Sequence, residues 1–232
     1  MIKLLLVYQE NAKNNRILND RIKYGRDYYK ELIKCIESWR KNGGKYKDID
    51  VVIFSDVQIK DLNFNNIKWH KMDFNKLDSK YGFVNVHIAG LEAHKIYPQT
   101  RFIHIDLDMY LQRELPDNIF NTKETIIGVY SCEDEPKQRK KIFGERLVET
   151  DFIVSSTLHF YKNYLKYYDF VRLKLKNKVD EYDVEEYVAD FIQSKFNYKI
   201  FERYEIGEGF YNIIQNPYFL HYHLKKKKEL YK

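Results

Sequence analysis

The chain has few of the residues that build specialised scaffolds. Two cysteines, Cys35 and Cys132, stand far apart in 232 residues. That excludes a disulfide-stapled framework and a cysteine-based zinc module, and reads as two reduced thiols. Four prolines and nine glycines leave little room for long linkers, and no internal repeat is visible. No apolar run reaches the length of a transmembrane helix. The opening Ile2-Lys3-Leu4-Leu5-Leu6-Val7-Tyr8 is too short for a signal h-region and ends in polar residues, so it reads as a first buried strand. A soluble, cytoplasmic protein is the expectation. Nor is the charge lopsided. Forty basic residues oppose 34 acidic ones for a formal +6, which demands no nucleic-acid partner but suits an anionic substrate or membrane surface. The one low-complexity stretch is the run Lys225 to Lys228, a solvated tail or a contact for anionic headgroups.

What remains is an ordinary globular composition, 44% hydrophobic, long enough for one large domain. No boundary interrupts residues 1–232. Strand patterns fall at Ile2–Tyr8, Asp50–Asp56, Ile67–His70, Phe102–Ile105 and Ile126–Tyr130, with later candidates at Tyr198–Tyr204 and Tyr218–His223. Helical spacing joins Tyr28, Leu32, Ile36 and Trp39, and Gly43-Gly44 stops that helix. It recurs at Val84, Ile88 and Leu91, ending near Tyr97 because Pro98 follows. It appears again over Leu158–Leu175 and Val184–Ile192. Glu133 to Arg146 is a charged segment expected to be an exposed loop, short helix or lid. Strands alternating with helices predict an α/β fold with a mostly parallel central sheet flanked by helices. His87, His94 and His104 fall on apolar faces and read as core histidines.

The richest stretch is Arg101-Phe102-Ile103-His104-Ile105-Asp106-Leu107-Asp108-Met109-Tyr110. An apolar strand runs into two carboxylates at i and i+2. In an extended chain both point to one face and Leu107 to the other. Two neighbouring carboxylates repel unless a cation lies between them. Ligands of open α/β sheets bind beyond the carboxyl ends of strands, where this pair and Asp56 both stand. The pair is therefore expected to hold a divalent metal and, through it, a phosphate-bearing ligand.

The segment from Leu91 to Leu115, with its Tyr97-Pro98 turn, strand, Asp106-Leu107-Asp108 and closing Arg113-Glu114-Leu115, resembles the GT-A glycosyltransferases. The likeness is strongest to the glycogenin and lipopolysaccharide galactosyltransferase type. Asp151 to Ser156 resembles the strand that follows the family's DxD motif. His221-Tyr222-His223-Leu224-Lys225-Lys226-Lys227 resembles its late H-x-x-G-x-x-K, with Leu224 where glycine is usual. The resemblance implies a single Rossmann-like GT-A domain, with a nucleotide-binding part over about residues 1–115 and an acceptor-binding part over about 116–232. It implies a metal-dependent glycosyltransferase of hexosyltransferase type. Its partners would be a UDP- or GDP-linked sugar and a glycan, lipid or protein acceptor.

On this resemblance Asp106, Asp108 and His221 or His223 bind Mn²⁺ or Mg²⁺, and the imidazole tilts the choice toward Mn²⁺. Asp106, Leu107 and Asp108 belong to the nucleotide-sugar site. Lys227 contacts the diphosphate; apart from the resemblance, Lys80 or Arg101 would add to the charge stabilisation if the fold brings them close. Val7, Tyr8 and Gln9 hold the base, and Asp56 helps with the nucleoside or serves as a turn residue. Asp151 is the first catalytic candidate and Glu185 and Glu186 the second, although acids also favour helix starts for their own sake. Two other classes stay open: a DxD-type phosphatase, disfavoured because its motif normally lies near the N-terminus, and a non-catalytic basic binding module, which leaves the acidic pair unexplained. No nucleic-acid motif is present.

Overall fold

A computed structural model describes residues 1–10, 25–59, 62–74, 83–123, 125–130, 148–155, 157–175, 184–201, 208–209 and 216–221. In chain order the elements are β1 (Ile2–Tyr8), α1 (Tyr28–Asn42), β2 (Val51–Ser55), β3 (Ile67–Lys71), α2 (Phe83–Ile96), β4 (Arg101–Ile105), β5 (Met109–Leu111), α3 (Asp117–Asn121), β6 (Ile126–Tyr130), β7 (Val148–Ser155), α4 (His159–Leu175), α5 (Val184–Phe196), β8 (Lys199–Phe201), β9 (Glu208–Gly209) and β10 (Phe219–His221). Seven strands form one sheet in the order β3-β2-β1-β4-β7-β6-β8. Strands β1 to β4 run parallel, β7 runs antiparallel between β4 and β6, and β8 is parallel to β6.

The strands read as unbroken apolar runs because helices cover both faces. Leu4, Leu6, Tyr8, Val51, Ile53, Ile103 and Ile105 pack on one face with Leu32, Cys35, Ile36 and Trp39 of α1. Leu5, Val7, Val52, Phe54 and Phe102 turn to the other face and meet Ala89 and Ala93 of α2. Each large side chain sealed in this way contributes about 1.5–3 kcal/mol. Asp27 caps α1 by accepting a hydrogen bond from the Lys30 N–H at 2.9 Å. Gly44 follows the helix at φ 54°, a left-handed conformation that glycine adopts without cost.

Helix α4 lies against α2 so closely that a Cβ on Gly90 would stand 2.2 Å from Cζ of Tyr161. Around this contact three histidines are sealed in, as their spacing predicts: His87, His94 and His104 are 0%, 1% and 3% exposed. The His94 Nε2 lies 2.8 Å from Ser155 Oγ, the Tyr161 hydroxyl 3.3 Å from His104 Nδ1, and the His87 ring stacks on Tyr164 at 3.5 Å.

Most expected elements are present within a residue or two. The sequence pattern misses β5, α3 and β9, which are too short to express a period. It also mistakes the backbone at the acidic pair. Residues 106–108 are a turn rather than an extended strand: the Met109 N–H donates to the Asp106 carbonyl at 3.2 Å, and the chain then enters β5. Asp106 and Asp108 thus meet across a turn, while Leu107, 8% exposed, joins the core as expected. The charged segment from Glu133 to Arg146 and the run Lys225 to Lys228 lie outside the described residues.

Candidate metal centre

The parallel strand order reverses at β1, with β2 on one side and β4 on the other, and such a switch point opens a crevice beyond the strand ends. Asp106 leaves β4 at that crevice. A second, three-stranded sheet, β5-β10-β9, brings the far end of the chain to the same place. Strand β10 runs antiparallel to β5 with His221 opposite Met109, one residue past Asp108. Strand β5 is held on its other side by α1: its Leu111 N–H donates to Ser38 Oγ at 2.9 Å, and its Leu111 carbonyl accepts from Asn42 Nδ2 at 2.6 Å. These two side chains satisfy the edge that β10 leaves bare.

One oxygen each of Asp106 and Asp108 and one ring nitrogen of His221 lie within 4.8 Å of one another. The His221 Nε2 is 3.3 Å from Asp108 Oδ1, and its Nδ1 is 3.2 Å from Asp151 Oδ2. Asp151 reaches this position because β7 extends past the end of β4, where its carbonyl accepts the Asp106 N–H at 3.1 Å. On the far side of Asp108, Arg26 donates from its terminal nitrogen to Oδ2 at 2.9 Å. The same guanidinium grips Glu31 of α1 through Nε at 2.9 Å and through the terminal nitrogen at 2.8 Å.

The electrostatics are those of a site short of positive charge. Burial first, then the carboxylates of Asp151 and Asp108, push Asp106 up to about 8. Burial alone would lower His221, but Asp108 and Asp151 outweigh it and hold the imidazole well above its usual range. A divalent cation between Asp106, Asp108 and His221 would supply that charge in place of the protons on Asp106 and His221. The set, two hard oxygens and one imidazole, fits Mn²⁺ or Mg²⁺.

The other expected site residues fall into three groups. At the strand ends, Gln9 accepts from Asn85 Nδ2 at 2.9 Å, and Asp56 Oδ1 accepts the Glu10 N–H at 2.8 Å, tying the loop after β1 to the exit of β2. Val7 is in the core, and the Tyr8 ring, 3% exposed, lies edge-on to Tyr29. Glu185 and Glu186 occupy the first turn of α5, where the Glu185 carbonyl accepts the Tyr164 hydroxyl at 3.0 Å. Arg101 is a correction: it begins β4, five residues and roughly 16 Å from Asp106, so it stands at the wrong end of the strand to meet a phosphate. Lys80, His223 and Lys227 lie outside the described residues.

Sequence reasoning missed Arg26, Glu31, Ser38 and Asn42. One signal was available. Glu31 interrupts the stripe formed by Tyr28, Leu32, Cys35, Ile36 and Trp39, and a charge on the apolar face of a helix needs a partner.

This architecture is the GT-A fold. Two solved structures of the galactosyltransferase LgtC share it. One, a complex with donor and acceptor sugar analogues, has a TM-score of 0.56 at 10% identity and covers 87% of this chain and 73% of LgtC. The other, an active-site mutant, has a TM-score of 0.62 at 10% identity and covers 96% and 87%. No protein-family model and no curated protein sequence matches. None of the described helices is long and apolar enough to cross a membrane.

Proposed function

We propose that the protein is a metal-dependent glycosyltransferase that moves a sugar from a nucleoside diphosphate to a hydroxyl of a sugar-bearing acceptor. The observation that carries this reading is the meeting of Asp106, Asp108 and His221 at the switch point of a GT-A fold. The donor's nucleotide would lie across the ends of β1 and β2, in the half of the chain up to about residue 115, and the acceptor would be held by the rest. LgtC, which shares the fold, has been crystallised with donor and acceptor sugar analogues, and that supports a donor and acceptor of the same general kind.

Asp106, Asp108 and His221 would hold Mn²⁺ or Mg²⁺. The bound cation supplies Lewis-acid neutralisation of the charge that grows on the leaving diphosphate. The chain's own residues prepare that site. Asp151 accepts the Nδ1 proton of His221, fixes the tautomer and leaves Nε2 as the ligand atom. Asp151 therefore acts through His221, as a positioning residue, in place of the acceptor base its sequence position first suggests. Asp56 and Gln9 fix the loop after β1 against which the nucleoside is read. Lys227, His223 and Lys80 remain candidates for the diphosphate and the metal.

A donor screen tests the reading. UDP- and GDP-linked sugars are incubated with the protein, and slow hydrolysis is followed with Mn²⁺, with Mg²⁺ and with EDTA. We expect one donor to be hydrolysed only with metal, and UDP or GDP to raise the melting temperature only with metal. Nucleotide stabilisation that persists in Asp108→Ala would count against the assignment.

A further inference from the structure

Asp108 has two oxygens, and the structure uses them differently. Oδ1 faces His221 at 3.3 Å; Oδ2 takes one N–H of Arg26 at 2.9 Å. Arg26 is not a loose surface arginine. Its side chain is 11% exposed, its Cζ lies 4.2 Å from the centroid of the Tyr28 ring, and Glu31, which it grips with both Nε and the terminal nitrogen, is 0% exposed. Glu31 in turn is part of α1, whose other face-mates are core residues. A planar guanidinium held on one edge by a carboxylate and on its face by an aromatic ring is fixed in direction. From this clamp the same terminal nitrogen also reaches Asp108.

We propose that Glu31 and Arg26 form the outer shell of the metal centre, a buried Glu–Arg–Asp relay that fixes the Asp108 carboxylate with Oδ1 presented to the cation. The inference rests on the metal-dependent reading above and extends it to two residues that touch no ligand. They are positioning residues. Because Arg26 engages Oδ2 and the cation side of the site is Oδ1, the two can be held together, so the guanidinium supports the metal and does not compete with it. Outer-shell partners of this kind are typically worth 10- to 100-fold in metal affinity.

The test is Mn²⁺ binding, followed by the loss of the free-ion electron paramagnetic resonance signal, for the metal alone and with inorganic pyrophosphate. Wild type should bind and Asp108→Asn should not. Arg26→Lys keeps the charge but loses the fork, and should bind roughly 10-fold more weakly. Arg26→Ala strands the Glu31 charge in the core, so the neutral pair Arg26→Met with Glu31→Gln carries the test if the single variant does not fold. That pair should weaken Mn²⁺ by about 10- to 100-fold while far-ultraviolet circular dichroism stays unchanged. Glu31→Gln alone should weaken binding and add little to Arg26→Lys, because both act through one bond. A folded pair variant that binds Mn²⁺ as tightly as wild type, or more tightly, overturns the relay while Asp108→Asn still upholds the metal site. Wild type that binds Mn²⁺ under neither condition overturns both.

Discussion

His104 and His221 are both nearly sealed from water, at 3% and 7% exposure, and both lie on strands. Their surroundings make them opposites. His104 sits with His87, His94, Tyr161 and Tyr164 among aromatic rings; burial drives it down to about 4, as it does His94, and His87 goes well below the usual range. His221 is flanked by Asp108 and Asp151 and is raised. Burial is therefore not what separates His221 from the core histidines. The carboxylates are. A chain that seals a histidine against Tyr161 or Tyr164 obtains a polar core residue. A chain that seals one between two acids obtains a charged cluster, which on the proposed function is the place of a cation.

The largest expected effect breaks the comparison at its charged end. Asp108→Asn keeps the shape and removes one ligand charge, and metal-dependent donor hydrolysis should fall by about a thousandfold, since loss of metal forfeits several kcal/mol of charge stabilisation. His104→Gln, at the aromatic end, should leave the Mn²⁺ affinity of the folded protein within about twofold, the two sites acting independently. An equal loss in both variants would erase the distinction between the regions.

How much of this was legible depended on distance along the chain. Sheet strands β1, β2 and β4 declare themselves as apolar runs, and Asp106 with Asp108 stands out because both acids follow such a run. The two acids do come together although the backbone between them is a turn, since a turn and a strand can both bring i and i+2 carboxylates together. His221 is silent until it is paired with Met109, a register that local pattern does not encode, and only the likeness to a known family singled it out. Arg26 and Glu31 are near neighbours in sequence, but the second partner of Arg26, Asp108, is not. Ser38 and Asn42 read as the polar face of α1 because the strand they hold is only three residues long.

The next effect sharpens the comparison by acid. His94 and His104 have folded values near 4 against about 6.5 when unfolded, so between those limits the unfolded chain binds more protons. Their contribution is complete above pH 6.5 and is lost as pH falls towards 4, on the order of a few kcal/mol for the pair. Urea unfolding at steps from pH 6 to pH 4.5 should show falling midpoints, with a shallower fall in His94→Gln. The fall is reduced by Asp106, which keeps its proton in the folded state up to about 8 and pulls the other way. A variant slope equal to that of wild type would remove His94 from the account. Smaller again is Gly90→Ala. The added methyl meets the Tyr161 ring at 2.2 Å, and that ring is fully buried. Overpacking should outweigh the roughly 1 kcal/mol that alanine gains in a helix, for a net loss of about 1–2 kcal/mol and a melting point lower by about 2–8 °C.

The smallest expected effect is the most discriminating. Tyr161→Phe keeps the ring and its packing and deletes only the hydroxyl, which lies 3.3 Å from His104 Nδ1. At that length the bond is weak, so the loss should be about 1 kcal/mol and the fall in melting point about 2–4 °C. Nothing in that loss involves the crevice beyond β4, because His104 faces α4 while Asp106 leaves the strand at its end. Mn²⁺ binding by Tyr161→Phe should therefore match wild type within about twofold. A tenfold weakening would mean that the aromatic interior and the acid cluster respond as one unit, and that the histidines of the core help to hold the turn that carries the metal ligands.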